Sequence, residues 1–169
     1  MDQEPTGKIE LQKEIDTSKT NGLLGDANAK DVFFKLYAKE KIMNKAERAI
    51  IMAAGLGNRM RPVTLTTPKP LVKVNGERMI DTVIQGLHEN GITEIYIVVG
   101  YLKEQFYTLE QEYPGVTIIE NPYYDTCNNI SSLYVARDHI ENAMILDGDQ
   151  IVYNRTILSP EFERSGYNS

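Results

Sequence analysis

A chain of 169 residues with 41% hydrophobic and 25% charged residues suits one soluble globular domain, long enough to bury a real core. The formal net charge of −6 argues against nonspecific nucleic-acid binding, because a phosphate backbone wants a basic face. The single cysteine, Cys127, excludes an internal disulfide, and no apolar run approaches the ~20 residues of a membrane span.

In chain order, Met1 to Glu10 is polar and acidic and lacks the basic and apolar regions of a signal peptide, so the expected location is the cytoplasm. Residues 1–30 are polar, with Gly22, Gly25 and Asn28 scattered through them, and read as loose or marginally helical. Val32 to Ala49 reads as a helix, with Val32, Phe33, Leu36 and Tyr37 on one face and Lys and Glu on the other. Residues 1–47 thus form a leader, partly disordered and then helical. It suits a linker, an oligomer contact such as a homodimer would use, or the remnant of another module.

From Ala49 the pattern changes. Ala49 to Ala54 is a short continuous apolar run ending in Gly55, of the kind found in strands buried on both faces. Ile95 to Val99 before Gly100, Val116 to Ile119, and Ala143 to Leu146 before Asp147 are three more. Helical stretches lie between them: Met79 to Asn90, stopped by Gly91; Lys103 to Tyr113, stopped by Pro114-Gly115; and Asn129 to Ile140. Strands alternating with helices predict an α/β fold with a doubly wound, mostly parallel sheet. Ligands in such sheets sit beyond the carboxyl ends of the strands. Those ends are Gly55, Gly100, Glu120-Asn121 and Asp147-Gly148-Asp149.

The first strand runs into Gly55-Leu56-Gly57-Asn58-Arg59-Met60-Arg61 and then Thr66-Thr67-Pro68-Lys69-Pro70. Glycines let backbone approach a ligand, and successive free N–H groups form an anion-binding nest. Guanidinium groups match phosphate geometry. Two prolines restrict the backbone on either side of Lys69. A dinucleotide-binding loop is excluded because its third glycine is Met60 here, and a P-loop because no Gly-Lys-Ser/Thr follows. The competing reading of the glycines is a packing turn with its arginines in solvent. The preceding strand and the proline-flanked lysine favour phosphate.

The stretch AGLGNRMRPVTLTTPKPLVKVNG, Ala54 to Gly76, resembles the signature of the sugar-phosphate and phosphocholine nucleotidyltransferases. VGYLKEQF (Val99 to Phe106), Asn128-Asn129-Ile130-Ser131-Ser132-Leu133 and LDGDQ (Leu146 to Gln150) look most like bacterial phosphocholine cytidylyltransferases. The resemblance covers Arg48 to about Ser169. It implies a Rossmann-like nucleotidyltransferase fold whose nucleotide-binding part is 48–169, with its C-terminal part incomplete. It also implies transfer of CMP from CTP to phosphocholine, forming CDP-choline and releasing pyrophosphate. By the same resemblance, the backbone of Ala54, Gly55, Leu56 and Gly57 would hold the nucleotide. Gly100 and Tyr101 would lie near its base. Arg59 would meet the pyrophosphate portion, and Lys69 would neutralise charge around the reacting phosphates.

The Asp147-Gly148-Asp149 turn admits two readings, an acidic turn or a magnesium site. The resemblance puts the Mg2+ ligand at Asp149, with Asp147 as a supporting group or a strand cap. Tyr123 and Tyr124 suit loop packing before an ammonium site, Cys127 a small filler before a nucleophile, and His88 and His139 packing or surface positions. No Asp follows Asp149, whereas the family supplies a second metal carboxylate further on. Three alternatives therefore stand beside the first reading: NTP transfer to a sugar 1-phosphate or related small phosphate, nucleotide binding without catalysis by a fragment, and an interaction module built on the leader helix. The expected partners are CTP or another NTP and a small phosphorylated acceptor, with no nucleic acid or membrane.

Overall fold

The computed structural model describes residues 44–127 and 130–166. Expectations for residues 1–43, for Asn128 and Asn129 and for residues 167–169 lie outside them. A short strand β1 (Asn44–Lys45) leads into β2 (Arg48–Ala53). After the glycine loop come the hairpin β3 (Lys73–Val74) and β4 (Glu77–Arg78), helix α1 (Met79–Glu89) and β5 (Glu94–Val99). Helix α2 (Leu109–Glu112), β6 (Val116–Glu120), α3 (Ile130–Val135), β7 (Ala143–Asp147) and β8 (Glu161–Phe162) complete the order.

The four apolar runs form one parallel sheet in the order β6-β5-β2-β7. The chain moves outward from β2 to β5 and β6, then returns past β2 to β7. That reversal at β2 makes the sheet doubly wound and opens a crevice at the strand ends. Alternation assigns the faces. Ile51, Ile95 and Ile97 meet Ile80, Val83, Ile84, Leu87, Phe106 and Leu109 in the larger core. Ile50 and Val98 face the other way, against Ala136, beyond the end of α3. Each fully buried Ile or Leu contributes about 1.5–3 kcal/mol of transfer free energy, so the larger face carries most of the stability.

Three helical expectations need correction. The described end of the Val32–Ala49 helix is extended: Asn44 and Lys45 pair with Phe162 and Glu161, and Arg48 and Ala49 join the parallel sheet. Ala46 N donates to Pro160 O and Glu47 N to Asn142 O, so long-range bonds replace the helical ladder. The Lys103–Tyr113 helix is two pieces, a tight turn over Lys103–Phe106 and then α2. Phe106 and Leu109 are drawn into the core while Lys103 and Tyr107 both bind Glu120, which splits the stretch. The third helix is described from Ile130 and ends at Val135, with a further turn at Arg137–His139. His139 stacks on Tyr96 with ring centroids 3.8 Å apart, a packing role.

The β4–α1 junction is tied to α2 by charge. Arg78 donates to Asp81 and to Glu112, and its guanidinium holds the Glu112 carboxyl below the ordinary carboxylate range. Among the described residues no helix is long and apolar enough to cross a membrane.

Candidate nucleotide site

The end of β2 and the loop after it form one wall of a cavity of about 130 Å³. Gly57 takes the left-handed φ of 63°. Thr64 Oγ1 donates to Gly57 O at 2.8 Å, and Met60 N donates to the same oxygen at 2.9 Å. This curls the loop back on itself and leaves its inner edge facing the cavity. The segment after it ends in a tight turn over Lys69–Leu71, where Leu71 N donates to Pro68 O and Val72 N to Lys69 O. Pro70 and Leu71 are buried, so the backbone under Lys69 is anchored at both ends.

The opposite wall comes from β7. Gly148 N donates to Met52 O at 2.9 Å, which pins the Asp147-Gly148-Asp149 turn to the end of β2. A side chain at Gly148 would be tight: a Cβ there would lie 3.0 Å from Ile51 Cγ2. The chain beyond is fastened to α1, because Val152 N donates to Thr82 Oγ1 and Asn90 Nδ2 donates to Arg155 O. Across the cavity, Lys69 Nζ donates to Asp149 Oδ2 at 2.5 Å.

The floor is polar and buried. Asn121, 2% exposed, follows β6 and donates through Nδ2 to Ser131 Oγ at 2.9 Å and Ser132 Oγ at 3.1 Å. Its Oδ1 accepts from Tyr123 N. Tyr124 and Cys127 close the remaining side. Tyr124 lies directly on Gly100, where a Cβ would come within 2.5 Å of the tyrosine Cβ and Cγ.

Of the residues expected from sequence, Ala54, Gly55, Gly57, Lys69 and Asp149 line this one cavity, with Asp147 beside them. Leu56 and Arg59 belong to the loop but not to the lining, and Arg59 is exposed in the Asn58–Met60 turn. Gly100 is covered by Tyr124, which takes the lining position instead. Tyr101 also stands outside it: its N donates to Ala54 O and its hydroxyl to Leu65 O, bracing the loop. Cys127 is exposed at the rim and not a filler. Sequence reasoning marked Asn121 as a strand end and Ser131-Ser132 as part of the resemblance, but did not join them into the floor that the structure shows. Its only signal was a polar residue at a strand end followed by two adjacent serines. Among the described residues no group of three or more His, Cys, Asp or Glu could hold a metal unaided.

A phosphate-sized crevice at a topological reversal, with a glycine loop, a lysine and two carboxylates, suits a nucleoside triphosphate. The model of the MobA-like NTP transferase domain matches residues 49–166, more than half of the chain. The chain belongs to this family of NTP transferases.

Two curated relatives of this NTP transferase domain are similar over 121 and 122 residues. The 2-aminoethylphosphonate cytidylyltransferase of Lancefieldella rimae is 52% identical, over 70% of this chain and 49% of its own length. The choline-phosphate cytidylyltransferase of Streptococcus pneumoniae is 43% identical, over 72% of this chain and 52% of its own. A solved structure of the CTP:phosphocholine cytidylyltransferase of Streptococcus pneumoniae superposes with a TM-score of 0.63 at 44% identity, covering 65% of this chain and 48% of that one. The chain spans about half the length of the curated relatives it matches.

Proposed function

We propose that this NTP transferase domain moves CMP from CTP to a small acceptor carrying a phosphate or phosphonate, and that phosphocholine is one such acceptor. The observation that carries the reading is the convergence of Lys69 and Asp149 over the glycine loop at 2.5 Å. The relatives that transfer cytidylyl groups to phosphocholine and to 2-aminoethylphosphonate support CTP as the donor. Both acceptors carry a nitrogen a short distance from phosphorus, and the higher identity favours adding the phosphonate to the candidates.

In the reaction, an acceptor oxygen attacks the α-phosphorus of CTP in line, the bond to the β-phosphate oxygen breaks, and pyrophosphate leaves. No covalent enzyme intermediate is needed, so the protein works by positioning and neutralising charge. The loop backbone from Ala54 to Gly57 cradles phosphates, and Lys69 donates to the reacting oxygens. Arg59, exposed at the loop tip, receives the departing pyrophosphate. Asp149, with Asp147 beside it in the cavity, would hold a magnesium ion, which needs only one or two protein carboxylates. Such an ion supplies charge neutralisation across the phosphates.

The test is pyrophosphate release from CTP offered with phosphocholine, 2-aminoethylphosphonate or a sugar 1-phosphate. Turnover with either of the first two supports the reading, and turnover only with the sugar phosphate overturns the acceptor. Lys69→Ala should lower the rate roughly 10²- to 10³-fold, by analogy with loss of a preorganised donor. Near-normal turnover in that variant would remove Lys69 from the mechanism.

A further inference from the structure

Lys69 and Asp149 are each suited to bind something outside the protein, yet each is occupied by the other. Their backbones are held independently, one by the Pro68–Leu71 turn and one by the bond from Gly148 to Met52. The contact can therefore break without moving either wall. Asp149 has a short side chain with little freedom, whereas Lys69 has a four-carbon stem and can swing. The side chains are 26% and 37% exposed, so water reaches the pair. A fully buried pair would be locked by the cost of desolvating either partner alone, but a wetted pair exchanges cheaply. Asp147, the other carboxylate of the cavity, is exposed and forms no ion pair among the described residues. The ammonium has selected the carboxylate that faces the loop.

We propose that Lys69 is a displaceable internal cation: it occupies Asp149 in the resting protein, and a divalent ion arriving with the nucleotide takes its place and turns the ammonium toward the phosphates. This rests on the roles given to Lys69 and Asp149 above. The exchange keeps a cation on the carboxylate, and the extra positive charge that the divalent ion brings is met by the nucleotide phosphates. The phosphates drive it, since they attract the freed ammonium and supply oxygens that Asp149 alone cannot give the ion. Metal and nucleotide then bind cooperatively, and by linkage each tightens the other by the same factor. Bare metal sees only the fraction of molecules whose lysine has swung away. If that fraction is about one tenth, the apparent affinity for bare metal falls about tenfold.

The experiment is titration of the full chain with Mn2+, read by electron paramagnetic resonance, with and without a CTP analogue whose α,β bridge is methylene. Wild type is compared with Lys69→Met, Lys69→Arg and Asp149→Asn, and thermal melting checks that each variant folds. In the absence of analogue, Lys69→Met should bind Mn2+ about tenfold more tightly than wild type. Lys69→Arg, which keeps a cation on Asp149, should stay near wild type, and Asp149→Asn should bind weakly throughout. The analogue should raise Mn2+ affinity in wild type and add much less in Lys69→Met. Equal Mn2+ affinity in wild type and Lys69→Met without analogue, while the analogue still tightens wild type, overturns the exchange and leaves the proposed function standing. If wild type binds neither the analogue nor Mn2+ in its presence, the proposed function fails and the exchange falls with it.

Discussion

Gly57 lies directly under the stem of Lys69: a Cβ placed on the glycine would come 3.3 Å from the lysine Cβ and 2.9 Å from Thr64 Cγ2. The glycine loop and the lysine are therefore one packed unit, although eleven residues of chain separate them.

Gly57→Ala should damage both fold and site. The left-handed φ of 63° costs an L-residue about 1–2 kcal/mol, and the added methyl pushes on Thr64 and Lys69. Gly55→Ala meets nothing within 4 Å, so its urea midpoint should match wild type while CTP affinity falls through the closer approach that the glycine allows. Measuring unfolding and CTP binding on the same two variants separates the effects. Loss of stability in Gly55→Ala would contradict the packing described.

Gly100→Ala should cost about 1–3 kcal/mol, the usual penalty for overpacking, because the methyl would overlap Tyr124. Adding Tyr124→Gly, which removes both the Cβ and the ring that the methyl would meet, should recover much of that loss. The double-mutant cycle should thus give a coupling outside the few tenths expected of independent sites. Additive effects would mean that the tyrosine does not rest on Gly100 in solution.

Asn121→Ala should destabilise the protein by about 1–3 kcal/mol, since Ser131 and Ser132 lose a buried donor and Tyr123 N loses its acceptor. Equilibrium unfolding in urea gives the value, and an unchanged midpoint would exclude a structural role for the floor.

Acid should weaken the β4–α1–α2 junction. Hydrogen bonding from Arg78 lowers the Glu112 carboxyl from its ordinary value of 4.5. A lowered folded value means the stabilisation is complete above about pH 4.5 and disappears as pH falls through the folded value. The melting-temperature gap between wild type and Glu112→Gln should hold steady from pH 6 to 8, narrow below about pH 4.5, and shrink in high salt. A gap that widens in acid would reverse the sign of the argument.

Much of this architecture was legible because it depends on local composition. The four apolar runs became the four parallel strands: β2 and β5 are buried along most of their length, as a continuous apolar run predicts, while β6 and β7 expose Thr117 and Ile145. Helix α1 kept its expected start and stopped within a residue of its expected end, where Gly91 takes a φ of 82°. Asn44 to Glu47 was misread because its extended form comes from partners nearly a hundred or more residues away, Asn142, Pro160, Glu161 and Phe162. Tyr124 was undervalued for a related reason. Its role arises from the missing side chain of Gly100, and no periodicity links the two positions. The lysine and the carboxylate could each be singled out by type, but their direct contact is a product of folding.

The sheet order has one further consequence. Among the described residues β2 is hydrogen-bonded on both sides, to β5 and to β7, while β7 is bonded to β2 alone. Among the described residues, the glycine loop thus grows from an interior strand and Asp149 follows one paired on a single side. Edges open locally at lower free energy than interior strands, so amide hydrogens of Ala143–Asp147 should exchange with solvent faster than those of Arg48–Ala53. A ligand bridging Lys69 and Asp149 should slow exchange along β7 well beyond the atoms it touches, and part of its affinity would be expended in quieting that strand.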